Sequence, residues 1–270
     1  MKKIFPNLVF SILLCLLFLA LQAASALSIV LGSIGLVVLL GTTLPAAAII
    51  SLCSSINRTP FFEAMGWGKV RESKIVYLLA MTVSLSLLVS EADNVVSQYL
   101  VPPSFYDTFI FELKTLFPEG SRFDFTLSAL SVMLVAPLME EGVFRGALFR
   151  GIASQLGAAA GIIASSLLFM LVHINPVQFV GAFCLGIVYA TLIMRGYNTA
   201  DTFLAHAVHN TISMVFLFGL IELPGMSIPN GETIEHVPLW IIGVSLFVFI
   251  SSFVVLMRDE KPFTRNREAP

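Results

Sequence analysis

Two adjacent glutamates and an arginine stand in an otherwise apolar stretch of this sequence, at Glu140, Glu141 and Arg145. On an α-helix, neighbouring residues point about 100° apart, whereas residues four apart share a face and can form an ion pair. The spacing therefore predicts that Glu141 pairs with Arg145 and that Glu140 has no partner on its own helix. An unpaired carboxylate inside a protein suits general acid or base chemistry. These three residues alone are equally compatible with a purely structural network.

Three histidines and an asparagine occupy later apolar stretches. His206, His209 and Asn210 belong to one stretch, and His173 ends another. His206 and Asn210, four residues apart, share a helical face, whereas His209 lies about 60° from His206. Because imidazole can act as a base, a hydrogen-bond donor or a metal ligand, these positions are candidates for the same site as the glutamates.

The positions of Glu140 and His173 along the chain suggest that they lie at one depth. A turn is expected near Leu156, and the two residues stand at almost equal distances before and after it. Two antiparallel helices joined by that turn would bring them level with each other. We therefore expect Glu140, His173, His206 and Asn210 to converge on one cavity.

The elements that must position these residues are predicted to cross a membrane. Of the 270 residues, 57% are hydrophobic and only 12% are charged, and the mean hydropathy is +0.92, whereas soluble domains contain about 25% charged residues. This composition excludes a water-soluble core. Apolar runs of ~20 residues, each long enough to span a bilayer, follow one another with short polar interruptions. The prediction is an all-α, polytopic membrane helix bundle of about eight transmembrane helices, at residues 6–25, 29–53, 74–92, 125–155, 157–175, 177–194, 200–221 and 237–257.

The distribution of lysine and arginine predicts the orientation, because cytoplasmic loops carry an excess of these residues. Only Lys114 and Arg122 fall outside if the N-terminus is cytoplasmic. This arrangement predicts a multi-pass protein of the cell membrane, inner or plasma, with both termini cytoplasmic. The loop 54–73 then lies inside and the loop 93–124 outside. The residues placed inside are Lys2, Lys3, Arg58, Lys69, Arg71, Lys74, Arg150, Arg195, Arg258, Lys261, Arg265 and Arg267.

The net charge and the cysteine content each argue against particular kinds of function. The net charge of −2 does not indicate a protein that binds nucleic acid. Cys15, Cys53 and Cys184 are odd in number and lack CxxC spacing, so we interpret them as small buried hydrophobic residues. The N-terminal segment imitates a secretory signal, with a cleavage-like sequence at 24–26. Hydrophobicity resumes after Leu27, so we interpret the segment as an uncleaved first span.

Three motifs in order resemble those of the CPBP or ABI family of membrane proteases, which includes the Ras-converting CAAX prenyl endopeptidases. The resemblance covers residues 125–215, the expected catalytic core of a single membrane domain 1–270. It implies that Glu141 and Arg145 brace the site, in agreement with their predicted pairing. The motifs are Glu-Glu-x-x-x-Arg (Glu140, Glu141, Arg145), Phe-x-x-x-His (Phe169, His173) and His-x-x-x-Asn (His206, Asn210).

The resemblance also implies a catalytic role for each remaining motif residue. Glu140 would act with His173 to activate a water for attack on a peptide carbonyl, without a cofactor. His206 and Asn210 would stabilise the tetrahedral oxyanion. This division is chemically reasonable, since the water needs a base and the developing charge needs preorganised donors. His209 lies outside the motifs, and we expect it to pack beside the site.

Two alternatives are open at this point. One is a zinc-dependent membrane protease with Glu140, His173 and His206 as ligands, although the sequence contains no HExxH motif. The other is a non-catalytic membrane scaffold or bacteriocin-immunity-type protein. For the endopeptidase, the expected partners are the lipid bilayer and a membrane-associated peptide or protein substrate, with or without a prenyl group.

Overall fold

The computed structural model describes residues 4–226 and 234–258, and these are helical, with no β-strand among them. We number the main helices of this described part in chain order and leave short turns such as Phe61–Ala64 unnumbered. They are α1 (Leu8–Ser25), α2 (Ile34–Asn57), α3 (Ile75–Tyr99), α4 (Pro103–Leu116), α5 (Arg122–Leu156), α6 (Ala158–Leu171), α7 (Phe179–Met194), α8 (Thr199–Leu217) and α9 (Leu239–Met257).

Each predicted span coincides with one of these helices, which confirms an all-helical, multi-pass membrane protein. Within the described residues, six helical segments are long and apolar enough to cross a bilayer, and α6 is a shorter apolar helix. Helix α8 is long enough but carries Asp201, His206, His209 and Asn210. A span with so many polar groups must face the bundle interior or a wet cavity rather than lipid.

Two local features differ from the sequence-based expectation. The connection predicted at 93–124 contains α4, a helix that begins with Pro103 in its first turn and buries none of its residues fully. The span predicted at 157–175 ends as a helix at Leu171, and Ile174 adopts a left-handed conformation with φ 61°. Pro176 explains the early end, because the residue before a proline is disfavoured in helical conformation. The prediction that His173 lies within a helix is therefore wrong.

Helix α5 carries the glutamate pair and is not a regular α-helix. It contains two π-helical segments, Ser131–Val135 and Gly142–Phe149, on either side of an α-helical turn at Ala136–Glu141. π-Helical segments are rare and occur frequently at functional sites. Glycines let this helix pack tightly, since a Cβ at Gly146 would collide with the backbone carbonyl of Met65.

The described residues form two large buried hydrophobic clusters, besides a small one around Phe149 and Ile193, and the outer helices present apolar side chains outward. One cluster surrounds Phe144 and Phe169 where α2, α5 and α6 meet, and the other surrounds Met81 and Tyr189 between α3, α7 and α9. On α9, large residues such as Phe247 are 72% exposed. Exposure of this kind is expected where the neighbouring medium is lipid rather than water.

Candidate active site

The predicted ion pair between Glu141 and Arg145 is present and fully buried. Nη1 of Arg145 lies 3.2 Å from Oε1 of Glu141, and their side chains are 1% and 0% exposed. The pair forms although α5 becomes π-helical at Gly142, immediately after the glutamate. A regular rotation of 100° per residue, which the sequence argument assumed, therefore does not hold over this segment, but the two side chains still meet.

Aromatic rings enclose the arginine of this buried pair. The Arg145 guanidinium carbon lies 4.2 Å from the centroid of the Phe169 ring and 5.5 Å from that of Tyr189. A desolvated guanidinium is attracted to the face of an aromatic ring. Phe169 also packs edge-on against His173, with ring centroids 4.8 Å apart. The phenylalanine of the second motif thus contacts both the structural arginine and a candidate catalytic histidine, a role that the sequence analysis did not assign.

Glu140, in contrast to its neighbour, opens into a cavity. Its side chain is 20% exposed, and its Oε2 atom lies 3.8 Å from Nε2 of His206. The cavity has a volume of about 450 Å³ and contains Glu140, His173, His206, His209 and Asn210 in its lining. The structure therefore brings together all four residues predicted to be catalytic, and it keeps the buried pair out of the cavity.

His173 lies in the turn that follows α6, where its orientation is fixed by the backbone. Its Nδ1 atom is 2.8 Å from the carbonyl oxygen of Phe169. Because a carbonyl can only accept, Nδ1 carries the proton, and Nε2 of a neutral ring is left as an acceptor. Irregular backbone at membrane depth is tolerated where it lines a wet cavity. No nitrogen–oxygen pair within 4 Å joins Glu140 and His173 among the described residues.

His206 links the cavity to the buried pair. Its Nδ1 atom lies 3.0 Å from Oε1 of Glu141, on the side of the ring opposite the 3.8 Å contact with Glu140. The ring is only 3% exposed. A carboxylate that accepts from Nδ1 fixes both the orientation and the tautomer of the imidazole. The motif spacing assigns His206 and Glu141 to separate roles and does not predict this contact.

Asn210 is held by a carbonyl that the π-helical segment leaves without a partner. A π-helix joins each carbonyl to the N–H five residues on, and the residue five after Val132 is Pro137, which has no N–H. Nδ2 of Asn210 donates to the Val132 carbonyl instead, at 2.8 Å. The second N–H of the amide remains for another acceptor.

His209 does more than pack beside the site, because it also lines the cavity. Its Nδ1 atom is 2.8 Å from Oγ of Ser86, whose own hydroxyl donates to the Thr82 carbonyl at 2.9 Å. Since that hydroxyl proton is already used, Nδ1 of His209 must be the donor in the contact with Ser86. Its Nε2 is left as an acceptor, with no hydrogen bond to it among the described residues.

Helix α4 supplies an apolar wall of the cavity through Phe109, Ile110 and Leu113. Tyr106 from the same helix also lines it, and burial raises the pKa of this phenol, so that it remains a neutral donor. Ring contacts hold the far end of α4, where the Phe117 centroid lies 5.2 Å from that of Phe218. The cavity thus combines a wall of ionisable groups with an apolar wall.

The alternative set of metal ligands was Glu140, His173 and His206. Within residues 4–226 and 234–258, no group of three or more His, Cys, Asp or Glu side chains is placed to hold a metal ion. One nitrogen of His206 is already used by Glu141. The described side chains of this set are therefore not grouped as metal ligands in this structure.

A match to a known protein family covers the part of the chain that carries the candidate site. Residues 122–212 match a family model described as type II CAAX prenyl endopeptidase Rce1-like. Searches of curated proteins and of solved structures gave no match. The matched segment begins with α5, ends within α8 and contains every residue of the three motifs. Over this segment the chain is similar to the type II CAAX prenyl endopeptidases of the Rce1-like family.

Proposed function

We propose that this protein is a glutamate-dependent intramembrane endopeptidase that hydrolyses a peptide bond of a membrane-associated peptide or protein. The observation that carries the proposal is the contrast between two neighbouring carboxylates. Glu141 is 0% exposed and paired, whereas Glu140 is 20% exposed to a cavity that it shares with three histidines. A structural network would not require an accessible carboxylate among these groups.

Glu140 is the proposed base, and His173 its partner. A water between them gives a proton to Glu140, and its oxygen forms a bond to the carbonyl carbon of the substrate. Nε2 of His173, an acceptor because Nδ1 donates to Phe169, orients that water. Glu140 then returns the proton to the leaving nitrogen as the C–N bond breaks, which leaves a carboxylic acid, carrying the second proton of the water, and an amine as products.

His206 and Asn210 are the proposed donors to the tetrahedral oxyanion. Asn210 keeps one N–H after its bond to Val132. A donor role for His206 requires a proton on Nε2, while Nδ1 donates to Glu141. Donors held in advance of the reaction stabilise the transition state without reorganisation, and the buried pair behind His206 supplies this rigidity.

The substrate is proposed to be a membrane-associated peptide or protein, with or without a prenyl group. The site lies among membrane-spanning helices, and the apolar wall from α4 suits a hydrophobic segment. The proposed location is the cell membrane, with both termini in the cytoplasm. Reporter fusions to the termini and to the loop before α4 test this orientation, since an outward C-terminus would contradict the charge asymmetry.

The decisive experiment compares wild type with Glu140→Gln in liposomes that contain a library of membrane-inserted peptides, with fragments read by mass spectrometry. Wild type is expected to release fragments and Glu140→Gln none, with unchanged thermal unfolding. Glu119→Gln, at an exposed position outside the cavity, is the matched control. Stoichiometric zinc whose removal abolishes cleavage would support the zinc alternative, and a folded wild type that cleaves nothing would support the scaffold.

A further inference from the structure

The cavity that contains Glu140 has an unusual charge balance for a peptide-binding site. Glu140 and Asp93 contribute carboxylates, and the lining includes no lysine or arginine among the described residues. Arg145, the buried cation behind the site, is paired with Glu141 and does not reach the cavity. The other ionisable groups in the lining are the three imidazoles and the phenol of Tyr106. The cavity is therefore suited to cationic or neutral groups rather than anionic ones.

Asp93 belongs to α3 and is fixed in position by the start of α7. Its Oδ1 atom accepts from the N–H of Gly181 at 2.8 Å. A Cβ at Gly181 would collide with this carboxylate, so that the close approach depends on glycine. No Lys, Arg or His nitrogen lies within 4 Å of Asp93 in the described part of the chain. An ionisable residue within a membrane span and without a counter-ion indicates a functional site.

Ser97 provides an independent observation on the same face of α3, one turn after Asp93. Its side chain is 6% exposed and lines the cavity, and its Oγ atom has no hydrogen-bond partner. Other buried hydroxyls of this helix behave differently, since Thr82 and Ser86 each donate to the carbonyl one turn back. A buried hydroxyl without a partner is costly unless a ligand completes its bonding.

We propose that Asp93 and Ser97 form a subsite that binds the cationic side chain of a peptide substrate, the ammonium of lysine or the guanidinium of arginine, near the scissile bond. The proposal rests on the endopeptidase function proposed above and specifies its substrate class. A carboxylate accepts charge-assisted hydrogen bonds from such a group, and the serine hydroxyl can accept a hydrogen bond from a further N–H. One carboxylate and one hydroxyl are too few oxygen ligands for Ca²⁺ or Mg²⁺, which favours a peptide cation as the occupant.

The same lining disfavours a free C-terminal carboxylate close to the scissile bond. A CAAX sequence ends in such a carboxylate shortly after its cysteine. The described lining has no lysine or arginine to pair with it, and Glu140 and Asp93 would repel it. The subsite therefore favours cleavage within a longer chain over removal of a CAAX terminus.

A binding experiment tests the subsite without relying on turnover. Glu140→Gln protein in detergent is titrated with fluorescent apolar peptides, acetylated and amidated, that carry one central lysine, norleucine or glutamate. The lysine peptide is expected to bind about tenfold to a hundredfold more tightly than the norleucine peptide, and the glutamate peptide more weakly than either. Adding Asp93→Asn should remove the lysine preference and leave the Kd of the norleucine peptide unchanged.

Matched variants separate a subsite from an effect on folding. Asp93→Asn keeps a side-chain oxygen that can accept from the Gly181 N–H, and Ser97→Ala removes a hydroxyl that has no hydrogen-bond partner. Ser97→Ala is expected to reduce the lysine preference about twofold to tenfold. Ser84→Ala is the control, because Ser84 lies on the same helix, bonds to the Ala80 carbonyl and does not line the cavity. If Asp93→Asn fails to fold, Ser97→Ala and the three peptides still decide the question.

Moving the lysine along the peptide separates a local subsite from a diffuse acidic field. The subsite predicts one optimal position, and a diffuse field predicts none. Equal binding of the lysine and norleucine peptides, a lysine preference that survives Asp93→Asn, or tighter binding of a free C-terminal carboxylate than of its amide would overturn the proposal.

Cleavage by wild type distinguishes failure of the subsite from failure of the proposed function. If wild type cleaves the lysine and norleucine peptides equally and Asp93→Asn changes nothing, the subsite is wrong and the endopeptidase proposal stands. If wild type cleaves none of them but the folded protein shows a lysine preference that Asp93→Asn removes, the subsite stands and the endopeptidase proposal is wrong.

Discussion

The candidate site has two halves, the buried ion pair and the cavity, and the two consecutive glutamates are divided between them. In the buried pair, Glu141 and Arg145 are shielded from the cavity by protein and enclosed by aromatic rings. In the cavity, Glu140 has a partly exposed carboxylate whose nearest histidine nitrogen, on His206, is 3.8 Å away. Because successive side chains on α5 point in different directions, the Glu141 carboxylate is held rigidly in the protein interior while the neighbouring Glu140 carboxylate is accessible from the cavity.

His206 joins the two halves and shows how one depends on the other. One ring nitrogen contacts Glu141 and the other faces Glu140. The buried pair therefore fixes the orientation of a residue that lines the cavity. Substitution of Glu141 or Arg145 should therefore also disturb the cavity, because it changes the orientation of His206. Substitution of Glu140 should leave the buried pair intact. Variants of the two glutamates can therefore distinguish the two halves.

The largest expected effect concerns the cavity. Glu140→Ala and His173→Ala should each reduce peptide cleavage about 10²- to 10⁴-fold, because each removes a partner in proton transfer. The double variant should be no slower than either single variant, since residues that act as a unit are non-additive. Cleavage rates in liposomes, with thermal unfolding of each variant in parallel, provide the measurement. Multiplicative losses would show that the two residues act independently.

The next largest effect is expected for substitutions in the buried pair, and it should appear as a lower free energy of unfolding. Glu141→Gln and Arg145→Met each leave one charge without a partner inside the bundle, which costs about 3–5 kcal/mol in the free energy of unfolding. Denaturant titration of protein in detergent and the yield of monodisperse protein measure this cost. Glu140→Gln is the matched control and should unfold like wild type. If it were the least stable of the three, the roles of the two glutamates would be reversed.

Asn210→Ala should have a smaller effect on catalysis. Loss of one oxyanion donor reduces kcat about 10²- to 10³-fold and leaves KM nearly unchanged. The variant also loses the bond to Val132, so stability should fall by about 0.5–1.5 kcal/mol. Thr211→Ala on the same helix loses only a bond to the Ala207 carbonyl and serves as the control. A rise in KM with unchanged kcat would assign Asn210 to substrate binding instead.

The sequence alone was sufficient for the helical, multi-pass fold and for the pairing of Glu141 with Arg145. Both depend on local spacing, on hydrophobic length in one case and on a separation of four residues in the other. The π-helical segments were not predictable by these rules, because an i to i+5 pattern depends on packing and leaves no regular hydrophobic period. The turn at His173 had a visible signal in Pro176, which the length of the apolar run obscured.

Residues outside the motifs required the three-dimensional structure. Asp93 reaches the cavity only because α3 packs against the start of α7, a contact that joins residues 88 positions apart. His209 is adjacent to a motif residue, but its exposure to the cavity depends on the hydrogen bond to Ser86 on another helix. Contacts of this range have no period in the sequence, so spacing arguments do not detect them.

The smallest expected effect distinguishes His209 from the other cavity histidines. Its Nδ1 donates to Ser86, and its Nε2 can accept a hydrogen bond from a substrate N–H without taking part in proton transfer. His209→Leu should therefore raise KM about twofold to tenfold, the range expected for one neutral hydrogen bond, and leave kcat within about threefold of wild type. Ser86→Ala removes the hydrogen-bond acceptor that holds the His209 ring but leaves the ring itself in the protein. This variant should therefore show a smaller rise in KM than His209→Leu. Steady-state kinetics with one peptide measure both variants beside His173→Ala. If His209→Leu lost as much activity as His173→Ala while remaining folded, His209 would belong with the groups that act on the scissile bond, and the catalytic set would extend beyond the three motifs.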